Sequence, residues 1–433
     1  MNESFIENRE CIMVTVRVFE KSSDVYRRLC EKSGPLFEEW LSAWNALDIT
    51  ERDIYSHPVY VMSWLNARYH MEAENVQLFS LYDNGSLIGI VPLSAYPLPL
   101  TFRFLYYLKS PVVELGSTIG IPERYREEAG HTILETPLNG NGKPLAVGFL
   151  RIDETNVFLR SDIPKLLFQT GYSRNVFRIP ENYRETLRKE HKHLARELRR
   201  KYNILSRIGD YKLEFVDTTA DIAGAFERFV DLEIKGWKKD QRRAMRNNPF
   251  IYRFYRDTVL GFAASGNAVI CNLVCNGETL SSLIGIVDRG TLYGLKIAYN
   301  ETYQDVSPGF LLLDLVFDRY CPGRNITAYN QMSSCPWFNE RFHPSVLNTY
   351  SLFMFPPGLS GVLVKMGYAF FAKLKKTLKV RNSEYGSREP GAWIPEQNRN
   401  RLSPSDKRGE NGRTPVCPAL VEGRKQCGAG VVN

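Results

Sequence analysis

Residues 291–314, TLYGLKIAYNETYQDVSPGFLLLD, carry the types and order that point most directly to chemistry. The first nine are β-favouring and alternate well enough for a half-buried strand. Residues 300–305 form a polar turn, and Ser307, Pro308 and Gly309 then lead into the apolar run FLLLDLVF. Serine suits a helix N-cap because its hydroxyl can accept from a free amide of the first turn, and proline suits the first helical position, where no amide is needed. The spacing therefore predicts a strand, a tight loop and a helix N-terminus. Such an end presents unpaired amides and the positive pole of the helix dipole, and a phosphate suits it. An ordinary capped helix after a strand would read the same way.

The elements that must position this junction come from the whole chain. At 433 residues two domains are expected. With 43% hydrophobic and 12% aromatic residues, most of the chain must be globular. The net charge of +8 favours an anionic partner: a nucleotide cofactor, an acidic glycan, nucleic acid or lipid head groups. The eight cysteines are scattered, and Cys271 and Cys275 have no matching second pair, which argues against a zinc site or a disulfide framework and for reduced thiols in a cytoplasmic protein. The first sixteen residues are acidic and lack an apolar core, unlike a signal peptide. Residues 87–108 are broken by Pro92, Pro97, Pro99 and Arg103, so they do not read as a membrane span.

In chain order, a strand is expected at 13–19, helices from Ser22 or Ser23 to Leu29, at 36–47 and near 58–69, and a hairpin of 76–83 with 86–93 about Asn84-Gly85. A short helix at 123–134 and strands near 145–150 and 156–160 follow. Residues 183–205 read as one long basic helix with a narrow apolar stripe, a connector between lobes or a surface for an anionic partner. Beyond it come a strand at 212–216, helices at 222–236 and 249–264, a second hairpin of 268–275 with 280–287 about Asn276-Gly277, the strand and helix of the opening motif, and strands at 326–329 and 350–355. The hexapeptide SLIGIV occurs at 86–91 and again at 282–287, each time after a strand and an Asn-Gly turn, which points to internal duplication. Residues 359–380 read as a basic amphipathic helix that packs on the second lobe or lies on an anionic membrane, and residues from 381 onward as a disordered tail.

The order Gln304-x-x-Ser307-x-Gly309 resembles the pyrophosphate-binding loop of the GNAT acyltransferases, with Ser307 in place of the usual first glycine. Three islands, LEIKGWKKD at 232–240, Phe254-Tyr255, and LKIAYNETYQDVSPGFLLL at 295–313, resemble the cellulose-biosynthesis-type members of that superfamily, relatives of the Fem peptidyl transferases. Asn300 and Asn330 stand where that family often has aspartate.

The resemblance implies a mixed α/β (α+β) fold of two tandem GNAT-like lobes, each a mixed central sheet flanked by helices. The degenerate N-terminal lobe would span 1–182, the linker helix 183–205, the acyltransferase lobe 206–357, the amphipathic helix 358–380 and the tail 381–433. It implies transfer of an acyl group from acyl-CoA (acetyl-CoA), with no metal, to an amine or hydroxyl of a saccharide or a cell-envelope or exopolysaccharide precursor. Gln304, Ser307, Pro308, Gly309 and Phe310 would hold the diphosphate, and the strand through Lys296, Ile297 and Ala298 would pair with the pantetheine arm. Glu233 would be the general base, directly or through water, and Tyr299 the proton donor to the leaving thiolate, with His343 a reserve base. Trp237, Lys238 and Asn330 would shape the acceptor site. Two other readings follow from the same features: a Fem-like transferase using charged tRNA on the basic helix, and a non-catalytic module docked at the inner face of an anionic membrane through 359–380.

Overall fold

The computed structural model describes residues 14–20, 23–48, 52–69, 76–97, 106–109, 120–138, 142–153, 156–236, 244–359, 361–367 and 369. Strand β1 (Val14–Glu20) leads into helices α1 (Asp24–Cys30), α2 (Pro35–Asn45) and α3 (Pro58–Tyr69), then strands β2 (Val76–Asp83), β3 (Ser86–Pro97) and β4 (Tyr106–Lys109), helix α4 (Arg126–Glu135), and strands β5 (Val147–Asp153) and β6 (Lys165–Arg178). Helices α5 (Tyr183–Glu190) and α6 (Lys192–Ile208) lead to strand β7 (Tyr211–Val216), helices α7 (Ile222–Ile234) and α8 (Pro249–Ala263), strands β8 (Ala268–Cys275), β9 (Glu278–Asp288) and β10 (Thr291–Tyr299), helix α9 (Pro308–Leu315), strand β11 (Ala328–Asn330), helix α10 (Pro336–Phe342) and strand β12 (Ser345–Met354).

All twelve strands form one mixed sheet in the order β1-β2-β3-β4-β5-β12-β6-β11-β10-β9-β8-β7. Read inward from either edge, the pattern is the same. Four strands run antiparallel, the fourth pairs in parallel with the fifth, and an antiparallel sixth follows. The sixth strands are exchanged. The chain places β6 beside β11 of the second half and β12 beside β5 of the first, and β6 and β12 pair along almost their full length at the middle. This exchange of equivalent elements resembles a domain swap within one chain, and it makes the sheet continuous across the halves.

The two hairpins match in detail. Asn84 and Gly85 have φ of 48° and 83°, Asn276 and Gly277 have 49° and 80°, the positive values that a tight two-residue hairpin turn requires. A bulge follows Leu81 in one hairpin and Leu273 in the other, each three residues before its turn asparagine. The repeated hexapeptide is not at equivalent positions, however. Ser86 directly follows Gly85, whereas four residues separate Gly277 from Ser282. An even shift keeps the same side chains on the same face, so both copies stay buried, but the duplication rests on strand order and turns rather than on those six letters.

The helices of the first half pack against α8. Trp64 stands edge-on to Phe250 and Phe254, Lys32 Nζ donates to the Asp257 carbonyl at 2.6 Å, and Asn66 donates to the Asp257 carboxylate at 2.8 Å. Nearby, Asp53 accepts the Ser56 amide at 3.0 Å. Burial, with the Asp53 charge beside it, pushes the Asp288 carboxyl from 3.8 up to about 6. A group whose pKa is raised on folding supports the fold below its unfolded pKa and loses that support as pH climbs through the folded value. A rise from 3.8 to about 6 corresponds to about 3 kcal/mol at most. Because the side chain is only partly buried, about 1–2 kcal/mol is expected after screening. Asp288→Asn should therefore stabilise the protein by that amount at pH 7.5 and by almost nothing at pH 4. Urea unfolding at the two pH values checks this, and an equal gain at both would show that the carboxyl pair is not the cause.

Three expectations are corrected here. The basic stretch 183–205 is two helices rather than one, broken at His191. Residues 157–159 form a 3₁₀ turn, not a strand, and the strand comes later, as β6. In the described part of the stretch after Pro357, Leu359, Val362, Leu363 and Met366 are exposed, so that side is not packed on the second lobe. Only Val364 meets the small apolar cluster of Ala146, Phe353 and Phe355. The rest of that segment and the tail from 381 lie outside the described residues.

Candidate active site

The second half of the sheet carries helices on both faces. Alternate residues of β9 divide between them: Ile284 and Ile286 join the core under α7 and α8, while Leu283 faces the core under α9 and α10. Strand β10 pairs with β11 only through Thr291, Leu292 and Tyr293, and then the two parallel strands part. A bulge between Gly294 and Lys296 marks the point of divergence. Gly294 is required there, because a Cβ would stand 2.4 Å from the Tyr329 hydroxyl. Past the bulge, β10 continues to Tyr299 with β9 on one side and no strand on the other among the described residues. The result is a notch with an open strand edge.

The loop that leaves β10 is tied down from below. Asn300 Nδ2 donates to Glu278 Oε1 at 3.0 Å, its Oδ1 accepts the Thr302 amide at 3.1 Å, and the Tyr303 hydroxyl donates to Glu278 Oε2 at 2.7 Å. An aspartate at 300 would set a second carboxylate against Glu278, so the asparagine at this position has a local physical reason. Ser281 Oγ donates to the Pro308 carbonyl at 2.8 Å and fixes the start of α9 on β9. From above, Lys201 of α6 donates to the Asp305 carbonyl at 2.5 Å.

Ser307 behaves differently from the cap its sequence suggests. It adopts a left-handed conformation (φ 56°, ψ 59°) to close the 3₁₀ turn 301–306, and its hydroxyl faces back toward the Gln304 carbonyl rather than the helix amides. Its own amide is used by Gln304 O at 2.9 Å. The Gly309 amide has no backbone acceptor among the described residues, and Ser307 and Gly309 are half-buried while Gln304 is exposed. The helix therefore still presents an open, positively polarised end, through Gly309 more than Ser307.

The other candidates divide between the two faces. Glu233, 2% exposed at the end of α7, accepts from Lys296 Nζ at 2.6 Å and from the Met245 amide at 2.7 Å. The Lys296 ammonium also sits 5.2 Å from the Tyr255 ring. Residues 233, 255 and 296 thus converge under α7 and α8, just beyond the notch. The bulge turns Ile297 and Tyr299 to the opposite face, where both lie against Gly309, while Ala298 joins the α7 side. The structure therefore does not bring Tyr299 to Glu233. Burial holds the Tyr299 phenol above its usual range, with Glu301 adding to the effect. Pro308 and Phe310 are buried in the helix foundation. Asn330 ends β11 and turns its Oδ1 onto the Met332 amide at 2.8 Å, shaping the notch from the far side. His343 lies past α10, its ring 6.0 Å from that of His191. Trp237 and Lys238 lie outside the described residues. Among the described residues no group of three His, Cys, Asp or Glu side chains is placed to hold a metal ion, and no helix is long and apolar enough to cross a membrane.

Sequence reasoning assigned Lys296 only a backbone role and gave Tyr255 none. Strand alternation offered no signal for this, because the bulge after Gly294 is what moves Lys296 onto the Glu233 face.

Residues 192–332 match the family described as an acetyltransferase (GNAT) domain. This part of the chain thus matches a GNAT-type acetyltransferase domain, and the first half repeats its strand order to give two GNAT-like lobes. No curated protein matches the sequence. Among solved structures, the chain is similar to FemX (11% identity, 76% of this chain and 97% of that one, TM-score 0.49). It is also similar to the C-terminal domain of a putative lysylphosphatidylglycerol synthetase from Agrobacterium fabrum (12%, 76% and 93%, 0.43). A third is a tandem GNAT protein from the clavulanic acid biosynthesis pathway (12%, 80% and 100%, 0.36).

Proposed function

We propose that the protein transfers an acyl group from acyl-CoA to an amine or hydroxyl of a saccharide or cell-envelope precursor. The observation that carries this is the meeting of an unpaired β10 edge with the open amide end of α9. A diphosphate fits the helix end, and an extended amide-bearing arm can add to the strand edge as an extra strand. That path places the thioester toward the bulge and Lys296, and Tyr299 at the phosphate end. There Glu233, directly or through one water, takes the proton of the attacking amine or hydroxyl as the nucleophile bonds to the thioester carbon. Backbone amides of β10 stabilise the oxyanion, and its collapse breaks the C–S bond and releases the thiolate, which takes up a proton.

The test is calorimetric titration of acetyl-CoA into wild type and Ser307→Asp. Aspartate tolerates the left-handed conformation, and its charge favours the start of a helix by about 0.3–1 kcal/mol, so the fold should hold. The same charge opposes a diphosphate, and affinity should fall about tenfold or more. Equal binding by both proteins, or none by wild type, would remove the donor assignment.

A further inference from the structure

A second cleft opens on the α9 face, between α5 and α6 on one side and α10 with the start of β12 on the other. Its volume is about 240 Å³, below the roughly 300–1,000 Å³ of pockets that enclose a whole small molecule. It suits one heterocycle rather than an entire ligand. Phe177 and Phe342 give it an aromatic floor, and Arg178, Arg341, His191 and His343 line it as cationic or ring-bearing groups. Glu190 adds one acceptor suited to an exocyclic amine. An aromatic floor beside two guanidinium groups is the chemistry that receives a base carrying a phosphate.

Helix α6 links the cleft to the proposed phosphate end of the site. Leu194 lines it, and Lys201, which holds the Asp305 carbonyl, lies two turns further along α6, about 10 Å away. Between them, Glu197 pairs with Arg341 at 2.9 Å, and the Arg341 guanidinium stands 5.4 Å from the Phe310 ring in the first turn of α9. Glu233 is on the opposite face of the sheet, so an acceptor seated in this cleft could not reach it.

We infer that this cleft seats the adenosine 3′-phosphate end of the donor, with Arg178 and Arg341 on the 3′-phosphate and His191 and His343 beside the base. The inference rests on the acyl-CoA reading above and extends it to the α5–α6 helices. Calorimetry with CoA, dephospho-CoA (which lacks the 3′-phosphate) and 4′-phosphopantetheine (which lacks the nucleotide) tests it, on wild type, Arg178→Ala and His343→Ala. Both substituted side chains are exposed, and thermal unfolding confirms that the variants are folded. Wild type should bind CoA about tenfold or more tightly than dephospho-CoA. Arg178→Ala should lose most of that preference, and His343→Ala should weaken both nucleotides, while phosphopantetheine binds all three proteins alike. Variants that bind CoA and discriminate as wild type does would overturn the cleft assignment and leave the donor reading standing. A wild type that binds phosphopantetheine but gains nothing from the nucleotide would do the same. A wild type that binds none of the three would overturn both.

Discussion

Asp314→Ala should lower the stability of the protein by about 3–5 kcal/mol, the range found when one partner of a buried ion pair is removed. Asp314 is fully buried on α9. Its carboxylate accepts from the Tyr183 hydroxyl at 3.0 Å, the Tyr202 hydroxyl at 2.6 Å and Arg184 at 2.8 Å. Arg184 goes on to Asp318 at 2.9 Å. Burial, with the Asp314 charge beside them, pushes both phenols well above their usual range, so they remain donors at any ordinary pH. Alanine would leave the buried Tyr183 hydroxyl without an acceptor, at about 1–3 kcal/mol, and the half-buried Tyr202 hydroxyl without one at a smaller cost, while Arg184 would keep Asp318 and some solvent. The loss should appear as a lower urea midpoint at unchanged slope. Asp314→Asn, which retains one acceptor oxygen, should lose less. If alanine leaves the midpoint where it is, the carboxylate is not what fastens α5 and α6 to α9. Because α9 also begins at the loop proposed to hold the diphosphate, the same variant should loosen that loop and weaken acyl-CoA binding.

That cluster also shows where the sequence was readable. Leu311, Leu312 and Leu313 announced a buried helix, but nothing in the order of residues ties Asp314 to Tyr183 across 131 positions. Local signals did well where local physics decides. The Asn-Gly turns, the β-rich hairpin strands and the strand–loop–helix order of 291–315 all follow from turn chemistry and short-range pattern. The strand β6 was missed because KLLFQTGYSRNVFR mixes polar and apolar residues without regular alternation. As the swapped strand between β11 and β12, its pairing is set by distant partners rather than by its own propensity. His191 interrupts the basic helix without a Pro or Gly to announce it. At the site, the bulge after Gly294 was decisive and silent. It reversed the parity of β10 and so separated Glu233 and Tyr299, which the strand pattern alone would have left undecided.

Glu233→Gln should reduce turnover by about 10²–10⁴-fold, the usual contribution of a positioned general base. The side chain would keep its length, but its geometry shows why the substitution is not silent. One carboxylate oxygen faces the Lys296 ammonium and the other the Met245 amide, both donors. A glutamine can meet only one of them as an acceptor and must turn its own N–H₂ toward the other, at about 1–3 kcal/mol of stability. A loss of rate could therefore reflect a disturbed α7 rather than a missing base, and the readouts must separate the two. Glu233 lies on the α7 face, away from the Gly309 end proposed to hold the diphosphate, so acyl-CoA affinity should change by less than about threefold. The acidic limb of the kcat/KM profile should disappear, since no carboxylate remains to lose its proton. Lys296→Met supplies the second arm. It removes the ammonium and leaves the carboxylate with the Met245 amide, which raises the basicity of Glu233 and should move the acidic limb to higher pH while preserving it. A Glu233→Gln enzyme that turns over at the wild-type rate, or one that loses donor binding as steeply as rate, would show that Glu233 serves the architecture of α7 rather than the proton transfer.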